Sequence, residues 1–304
     1  MGGNQKNLSV ETLRGITIIL VVMGHVIGSA PSGGMKIDFP HSLRYVYLWI
    51  DYIQMPLFTA IAGWVYALRP FSASGGFGGF VWKKALRLLV PMAAVGTLYF
   101  LIQYIMPGTN NKGDLTQMWR IYIFPYTIYW YLPSLFLIFL VQWCIDSRQW
   151  MNNWVQWGAC CGVAVVLSMV NDKGFLHELP NLFSFKGALG QLPYFFAGVA
   201  ACRLAKNLFH GNFVKWLVGG MALAGIVLIQ IVWFDPEDAT WIRQSLYVLA
   251  LIPTLFLLLA MKWHNRFFVW VGGYAYTIYL FHGFGTSGGR IILQKLNVHN
   301  VFIV

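Results

Sequence analysis

Charged side chains are scarce in this chain, and acidic ones are the scarcest. Ten Asp and Glu residues and 21 Lys and Arg residues make up 10% of the 304 positions and give a formal net charge of +11. A soluble domain carries about 25% charged residues, whereas 58% of this chain is hydrophobic. The composition therefore excludes an ordinary soluble domain and predicts an all-α, polytopic membrane protein that forms one domain over residues 1–304. The basic residues lie in short loops between apolar runs, which indicates membrane topology and contact with lipid rather than nucleic acid binding.

Cysteine is also scarce, and its placement excludes two common classes of site. None of the four cysteines forms a C-x-x-C motif, and all fall in or beside apolar runs, which predicts buried free thiols rather than disulfides. No grouping of His and Cys has the spacing of a zinc site, so no metal is expected. No nucleophile elbow, in which G-x-S-x-G joins a strand to a helix, is evident, so serine-hydrolase chemistry has no support. The cysteines are Cys144, Cys160, Cys161 and Cys202.

Long hydrophobic runs, by contrast, are abundant. A helix needs about 20 apolar residues to cross the hydrocarbon core. Nine runs of this kind are present, and a tenth begins at residues 301–304. We therefore expect about ten transmembrane helices, the last of them cut short. We interpret the first run as an uncleaved helix, because Glu11 and His25 fit a secretory signal poorly. The nine predicted spans that precede residues 301–304 are 11–29, 46–68, 88–106, 121–145, 154–170, 189–204, 213–234, 241–261 and 267–284.

The loops between these runs predict the orientation of the chain. With the N-terminus on the cytoplasmic side, twelve Lys and Arg residues fall in inner segments and nine in outer ones. Basic residues are enriched in cytoplasmic loops, so this bias predicts a cytoplasmic N-terminus.

Ionisable residues inside the apolar runs are the candidate functional residues. An ionisable group in a membrane segment is costly and usually serves a substrate, an ion or a transport pathway. Arg14 and His25 share the first predicted span as R-x10-H, a helical rise of about 16 Å. This spacing places a cation near one face of the bilayer and an imidazole well inside it.

Three cations, Arg14, Lys84 and Arg87, are predicted to converge at the cytoplasmic ends of the first and third spans. Lys84 and Arg87 are three residues apart and share one helix face, and Arg14 is expected beside them. Clustered Arg and Lys side chains suit a diphosphate or a phosphorylated cofactor. The alternative is that basic residues at helix ends reach lipid phosphate, which is the interpretation we favour for Lys83.

Two histidines are candidates for chemistry. His25 lies between Gly24 and Gly28, which leave room for a neighbouring helix or ligand, and imidazole is suited to moving protons near neutral pH. The alternative for His25 is a core histidine bonded to a backbone carbonyl. For His282, near the outer face, lining an acceptor entrance and a structural role are equally open. We expect Asp51 to face water rather than to orient an imidazole.

Five short motifs follow one another in order, and together they resemble the integral-membrane acyltransferase-3 family. Members of this family are bacterial O-acyltransferases that modify surface glycans, and the motif M-P-L-F is closest to the fucose 4-O-acetylase-like branch. Gln54 stands where that branch often has histidine, and an amide cannot act as a base near pH 7. The motifs are L-R-G-I-x6-M-G-H from Leu13 to His25, Met55-Pro56-Leu57-Phe58, Lys84-Ala85-Leu86-Arg87, Trp130-Tyr131-Leu132-Pro133-Ser134-Leu135-Phe136 and Tyr276-Thr277-Ile278-Tyr279-Leu280-Phe281-His282.

The resemblance implies a function and a set of roles. It implies acetyl-CoA, or another acyl-CoA, as a cytoplasmic donor. The acceptor would be a sugar hydroxyl of a surface glycan or its lipid-linked precursor, at the bacterial cytoplasmic (inner) membrane. The expected roles are catalysis by His25, donor binding by Arg14, Lys84 and Arg87, and acceptor binding by Trp130 and His282.

Two alternatives stay open at the level of the sequence. The chain could be a non-enzymatic transporter of an acyl donor or a lipid-linked sugar, although no paired halves with matching broken helices are evident. It could also be an amino-sugar N-acetyltransferase, which keeps the chemistry and changes the acceptor. The residues leave open the sugar, the acyl length, the oligomeric state and whether His25 acts as a base or a transient acyl carrier.

Overall fold

The computed structural model describes residues 7–29, 33–69, 76–106, 113–205, 211–233 and 240–296, and its regular elements over these ranges are all helical. The predicted all-α class is therefore confirmed. Three single turns of 3-10 helix, Leu115–Gln117, Thr127–Trp130 and Leu182–Ser184, lie between the α-helices. The α-helices are α1 Leu8–Ile27, α2 Ser42–Ala67, α3 Gly76–Ile105, α4 Arg120–Ile123, α5 Tyr131–Ser147, α6 Trp154–Lys173, α7 Phe175–Glu178, α8 Phe185–Arg203, α9 Asn212–Trp233, α10 Thr240–Ala260, α11 Arg266–Gly273 and α12 Ala275–Lys295.

Several helical segments have the length and apolar character of membrane spans. Because a hydrocarbon core of about 30 Å needs some 20 helical residues, these segments make the chain a polytopic membrane helical bundle. The predicted tenth span at residues 301–304 lies outside the described residues. The strongest candidate spans among the described residues are Leu8–Ile27, Gly76–Ile105, Leu115–Ser147, Trp154–Asn171 and Asn212–Ile229.

The span predicted over residues 121–145 lies within the candidate span Leu115–Ser147, but it is not one continuous helix. Helix α4 ends at Ile123, and Phe124 is extended, with φ −109° and ψ 155°. Pro125 explains the break, because proline disfavours helical backbone in the residue before it. Helix α5 then begins at Tyr131, after a 3-10 turn.

Two further boundaries differ from the sequence prediction. The span predicted over 267–284 is two helices, since α11 ends beside Gly272 and Gly273 and α12 continues to Lys295. Helix α3 begins at Gly76, twelve residues before the predicted start at 88. Lys84 therefore lies well inside α3 rather than before its first turn.

The chain divides into two compact units. The first comprises the described residues of Met1–Met55, Val90–Tyr129 and Trp263–Val304. Its helices α1 and α11 lie against each other along glycines: a Cβ on Gly15 would overlap the carbonyl of Phe268, and one on Gly272 would overlap the carbonyl of Glu11. Small residues at such a crossing let two helix backbones approach closely in a membrane protein.

The second unit comprises the described residues of Pro56–Leu89 and Trp130–Lys262. Its core is apolar around α8, where Phe195 and Phe196 are fully buried. The same close approach recurs here, because a Cβ on Gly198 would overlap the carbonyl of Ala60. Helix α8 thus lies against the second half of α2 with the backbones nearly in contact.

Candidate functional site

The end of helix α1 is fixed by a buried arginine. Arg44 is 5% exposed and donates to the carbonyls of Gly28 and Ser29, at 2.7 and 2.5 Å. Its guanidinium also lies 4.7 Å from the ring centre of Tyr47. A cation on the last carbonyls of a helix stabilises the negative end of the helix dipole. The last turn of α1, which carries His25, is therefore held in one position.

The imidazole of His25 is anchored to its own helix. Nδ1 lies 2.7 Å from the carbonyl oxygen of Val21, and the ring is half-buried. Because a carbonyl oxygen only accepts, Nδ1 must carry the proton of the neutral ring, and Nε2 presents a lone pair. His25 lies in the last turn of α1, closer to a helix end than the R-x10-H spacing suggested.

His282 meets His25 directly. The two ring centres are 4.8 Å apart, with the planes at 75°. Nδ1 of His282 donates to the carbonyl of Tyr279 at 2.8 Å, so this ring also has its lone pair on Nε2. His282 is only 6% exposed, and its Nε2 is buried without a hydrogen-bond partner among the described residues. The sequence separated the two histidines by depth in the membrane, whereas the structure places their rings in contact.

Asp51 and Gln54 on helix α2 complete this group. Asp51 accepts a hydrogen bond from Nε2 of Gln54 at 3.2 Å and another from the hydroxyl of Tyr47. It also lies close enough to His25 for the two charges to attract each other. Asp51 is exposed, as expected, but the expectation that it does no more than face water is wrong.

The glycine before His25 has the packing role that the sequence suggested. Gln54 is 5% exposed, and a Cβ on Gly24 would lie 2.9 Å from its Oε1. Gly24 therefore lets helix α2 bring its amide against α1, one residue before the imidazole.

In the second unit, the ammonium group of Lys84 lies over the faces of aromatic rings. Its Nζ is 3.4 Å from the ring centre of Phe139 and 5.5 Å from that of Phe80. Arg87 and Arg69 are close enough for their charges to act on Lys84, which makes one cationic cluster. The ion pairs found in the described part of the chain do not include Lys84. A cluster of positive charges in which the lysine has no carboxylate partner among the described residues suits a phosphate group.

The remaining predicted site residues lie as follows. Arg14 is in the first unit and its Nη1 is 3.1 Å from Oε1 of Glu11, so its convergence with the cations of the second unit stays a prediction. Trp130 is half-buried in the second unit, edge-on to Tyr131. A Cβ on Gly187 would touch the Trp130 ring, so this ring packs against α8. Its acceptor-binding role stays a prediction as well.

A charged network on helices α5 and α8 was missed by the sequence. Arg203 binds Asp146 through two parallel hydrogen bonds of 2.7 and 2.8 Å. The buried carboxylate also accepts from the hydroxyl of Tyr66 at 2.8 Å and from Nε2 of Gln142 at 3.0 Å. In the sequence analysis, Arg203 was only one of the twelve basic residues counted in the inner segments. The only clue was that Asp146 is a rare acidic residue on the predicted cytoplasmic side.

The cysteine prediction is confirmed in part. All four cysteines are free thiols, and Cys161 and Cys202 are buried. Cys144 is exposed, so the expectation of burial is wrong for that residue. It lies in the last turn of α5 on the same face as the exposed Val141, whereas the neighbouring Ile145 and Asp146 are buried.

The imidazole pair and the cationic cluster are the candidate sites of this helical membrane bundle, and comparison with known proteins identifies its family. Residues 7–303 match the family model Acyl_transf_3, described as an acyltransferase domain. The chain belongs to this family, which confirms the resemblance, and it is a multi-pass membrane protein. The nodulation protein NolL of Mesorhizobium japonicum is 26% identical over 167 residues, which is 54% of this chain and 42% of that protein. The chain thus spans less than half the length of this relative. No solved structure matches the chain.

Proposed function

We propose that the protein is an O-acyltransferase that moves an acetyl group from acetyl-CoA to a sugar hydroxyl. The acceptor belongs to a cell-surface glycan or its lipid-linked precursor. The observation that carries this proposal is the pair of imidazoles at 4.8 Å, each with Nδ1 bound to a backbone carbonyl and a lone pair on Nε2. This is the arrangement that a general base needs before it meets a hydroxyl group.

In the proposed reaction, one proton passes through Nε2 of His25 from the acceptor to the leaving group. His25 takes the proton of the sugar hydroxyl as its oxygen attacks the thioester carbonyl. A new C–O bond forms, the C–S bond breaks, and the proton passes to the sulfur of the departing CoA. Asp51 stabilises the imidazolium while it exists, because an opposite charge nearby favours the charged ring.

Donor binding is assigned to the cations of the second unit. Lys84 and Arg87 are proposed to hold the phosphates of acetyl-CoA, with Arg69 as a third cation beside them. The rings of Phe80 and Phe139 hold the Lys84 ammonium in place through cation–π contacts. Arg14 is retained as a predicted fourth member of this phosphate site.

We place the protein in the bacterial cytoplasmic membrane with a cytoplasmic N-terminus. The twelve-to-nine bias of basic residues supports this orientation. It puts the exposed Cys144, at the end of α5, on the cytoplasmic side. In a variant that keeps only Cys144, a membrane-impermeant maleimide should label inverted vesicles and spare intact spheroplasts. Labelling of intact spheroplasts would reverse the orientation.

The experiment that tests the function uses the purified full chain, labelled acetyl-CoA and glycan from cells that lack the gene. We expect labelled glycan and one free CoA thiol for each acetyl group transferred. The label should be released by mild base, as an ester is. A base-stable label would indicate an amide and thus an N-acetyltransferase. Binding of acetyl-CoA without thiol release would favour a transporter.

A further inference from the structure

Helix α12 borders an open pocket that starts at His282. The pocket has a volume of about 400 Å³ and is lined by Val22 and Val26 of α1 and by one face of α12. On that face it reaches from His282 past Thr286 to Arg290. His282 and Arg290 are eight residues apart, about 12 Å along a helix axis.

Two glycines make this pocket possible. A Cβ built on Gly285 or Gly289 meets no atom within 4 Å, so neither glycine serves the packing of a neighbouring helix among the described residues. Glycine inside a helix is destabilising relative to alanine. Since both glycines line the pocket, the space that they leave open is available to a ligand.

A buried nitrogen at one end of the pocket also lacks a partner. His282 is 94% buried, lines the pocket, and has its Nε2 without a hydrogen bond in the described part of the chain. A buried polar atom that finds no partner is costly, and a ligand hydroxyl would satisfy it. Because the ring of His282 contacts that of His25, a hydroxyl bound here lies beside the proposed base.

The other end of the pocket carries a positive charge. Arg290 is half-buried, and the hydrogen bonds and ion pairs found among the described residues do not include it. Tyr99 is close enough to Arg290 for an electrostatic interaction, but its side chain is a phenol and not a carboxylate. A guanidinium in a membrane protein that has no carboxylate partner is a functional candidate, and its natural ligands are phosphate and carboxylate.

We infer that this pocket is the acceptor site and that it selects an acceptor with a negative charge next to its reactive sugar. The sugar hydroxyl lies at His282, and the phosphate or carboxylate binds Arg290. The inference rests on the proposed acyl transfer and narrows its acceptor to anionic sugars. The hydroxyl of Thr286, between the two ends, is placed to bind a further sugar oxygen.

Binding of simple sugars to the purified full chain, in nanodiscs of phosphatidylcholine, tests this inference without any need for turnover. The probes are glucose 1-phosphate, glucuronate and neutral glucose. We expect glucose to bind at least tenfold more weakly than the better of the two anionic sugars, since hydrogen bonds to charged groups are the stronger ones. Preference for the phosphate indicates a sugar-phosphate acceptor, and preference for glucuronate indicates an acidic sugar.

Arg290→Gln should then weaken anionic binding about tenfold or more and leave glucose unchanged. Lys295→Gln, an exposed cation on the same helix, is the matched control and should change neither. Gly289→Leu, which fills the pocket, should weaken all three sugars. Equal binding of the three sugars, or unchanged binding by Arg290→Gln, would overturn the inference and leave the acyl transfer proposal standing. Anionic binding through Arg290 without any acyl transfer would overturn the proposed function instead.

Discussion

The imidazole rings of His25 and His282 meet edge to face, with their centres 4.8 Å apart. Two rings this close do not both carry a positive charge at low cost, because like charges in contact oppose each other. Asp51 acts on His25 and favours the charged form of that ring. In the proposed mechanism His25 therefore accepts the proton, and His282 stays neutral and binds the acceptor hydroxyl.

The role of Asp51 can be tested by Asp51→Asn, which keeps the shape and removes the charge. We expect kcat to fall about tenfold, which corresponds to a loss of roughly 1.4 kcal/mol of stabilisation of the imidazolium. The KM for acetyl-CoA should stay unchanged, because Asp51 acts on the imidazole of His25 and is not one of the residues proposed to hold the donor phosphates. Asp38→Asn is the control, since this carboxylate is exposed and binds a local backbone N–H. An unchanged kcat in Asp51→Asn would remove Asp51 from the mechanism.

The phosphate site predicts a contrast between adjacent lysines. Lys84→Ala and Arg87→Ala should each raise the KM for acetyl-CoA by about 10- to 100-fold, as loss of a charge-assisted hydrogen bond does. Lys83→Ala is the matched control, because Lys83 is exposed and is interpreted as a lipid-facing cation. Direct binding of acetyl-CoA, measured by calorimetry, separates affinity from turnover. Equal effects at Lys83 and Lys84 would indicate general surface charge rather than a phosphate site.

The ion pair of Asp146 and Arg203 predicts a stability effect. Arg203→Ala leaves a carboxylate that is 4% exposed without its cation, and should cost about 3 kcal/mol of unfolding free energy. This value is at the lower end for a broken buried pair, since Tyr66 and Gln142 still donate to Asp146. Thermal unfolding in one detergent provides the measurement. The double variant Asp146→Asn with Arg203→Met removes both charges and should recover part of the loss; a double variant less stable than Arg203→Ala would count against a charge effect.

The contact of α1 with α11 predicts a different outcome for two glycine substitutions. Gly15→Ala should destabilise the protein by about 1–3 kcal/mol, because the new Cβ would overlap the backbone of Phe268. Gly158→Ala on α6 is the control: its Cβ meets nothing within 4 Å, and it should gain about 0.5–1 kcal/mol from better helix propensity. The same thermal unfolding assay compares the two. Equal stability of both variants would contradict the close helix crossing.

The hydrophobic runs predicted the class of fold and most helix positions, because span length is set by the thickness of the bilayer. The errors have local causes. Pro125 interrupts the helix in one predicted span without lowering the hydropathy of that span. Gly272 and Gly273 end helix α11 inside an apolar run. The start of α3 was missed because Lys83 and Lys84 made a helical segment appear to be a loop.

The candidate site was predictable as a set of residues but not as a geometry. The cost of ionisable groups in apolar runs singled out His25 and Lys84. The contact of His25 with His282, 257 positions later, depends on how helices pack, which periodicity does not encode. Arg44 was not among the candidate residues and Asp51 was expected to face water, although one fixes the end of α1 and the other acts on His25.

The most direct test of the account is the rate of CoA thiol release by His25→Ala, with glycan from cells that lack the gene as acceptor. General-base catalysis contributes about 100- to 10,000-fold, so the variant should lose that factor in kcat and keep its affinity for acetyl-CoA and its thermal stability. His264→Ala, which changes an exposed histidine, should retain full activity. A folded His25→Ala protein that transfers acetyl groups at the normal rate would contradict the account.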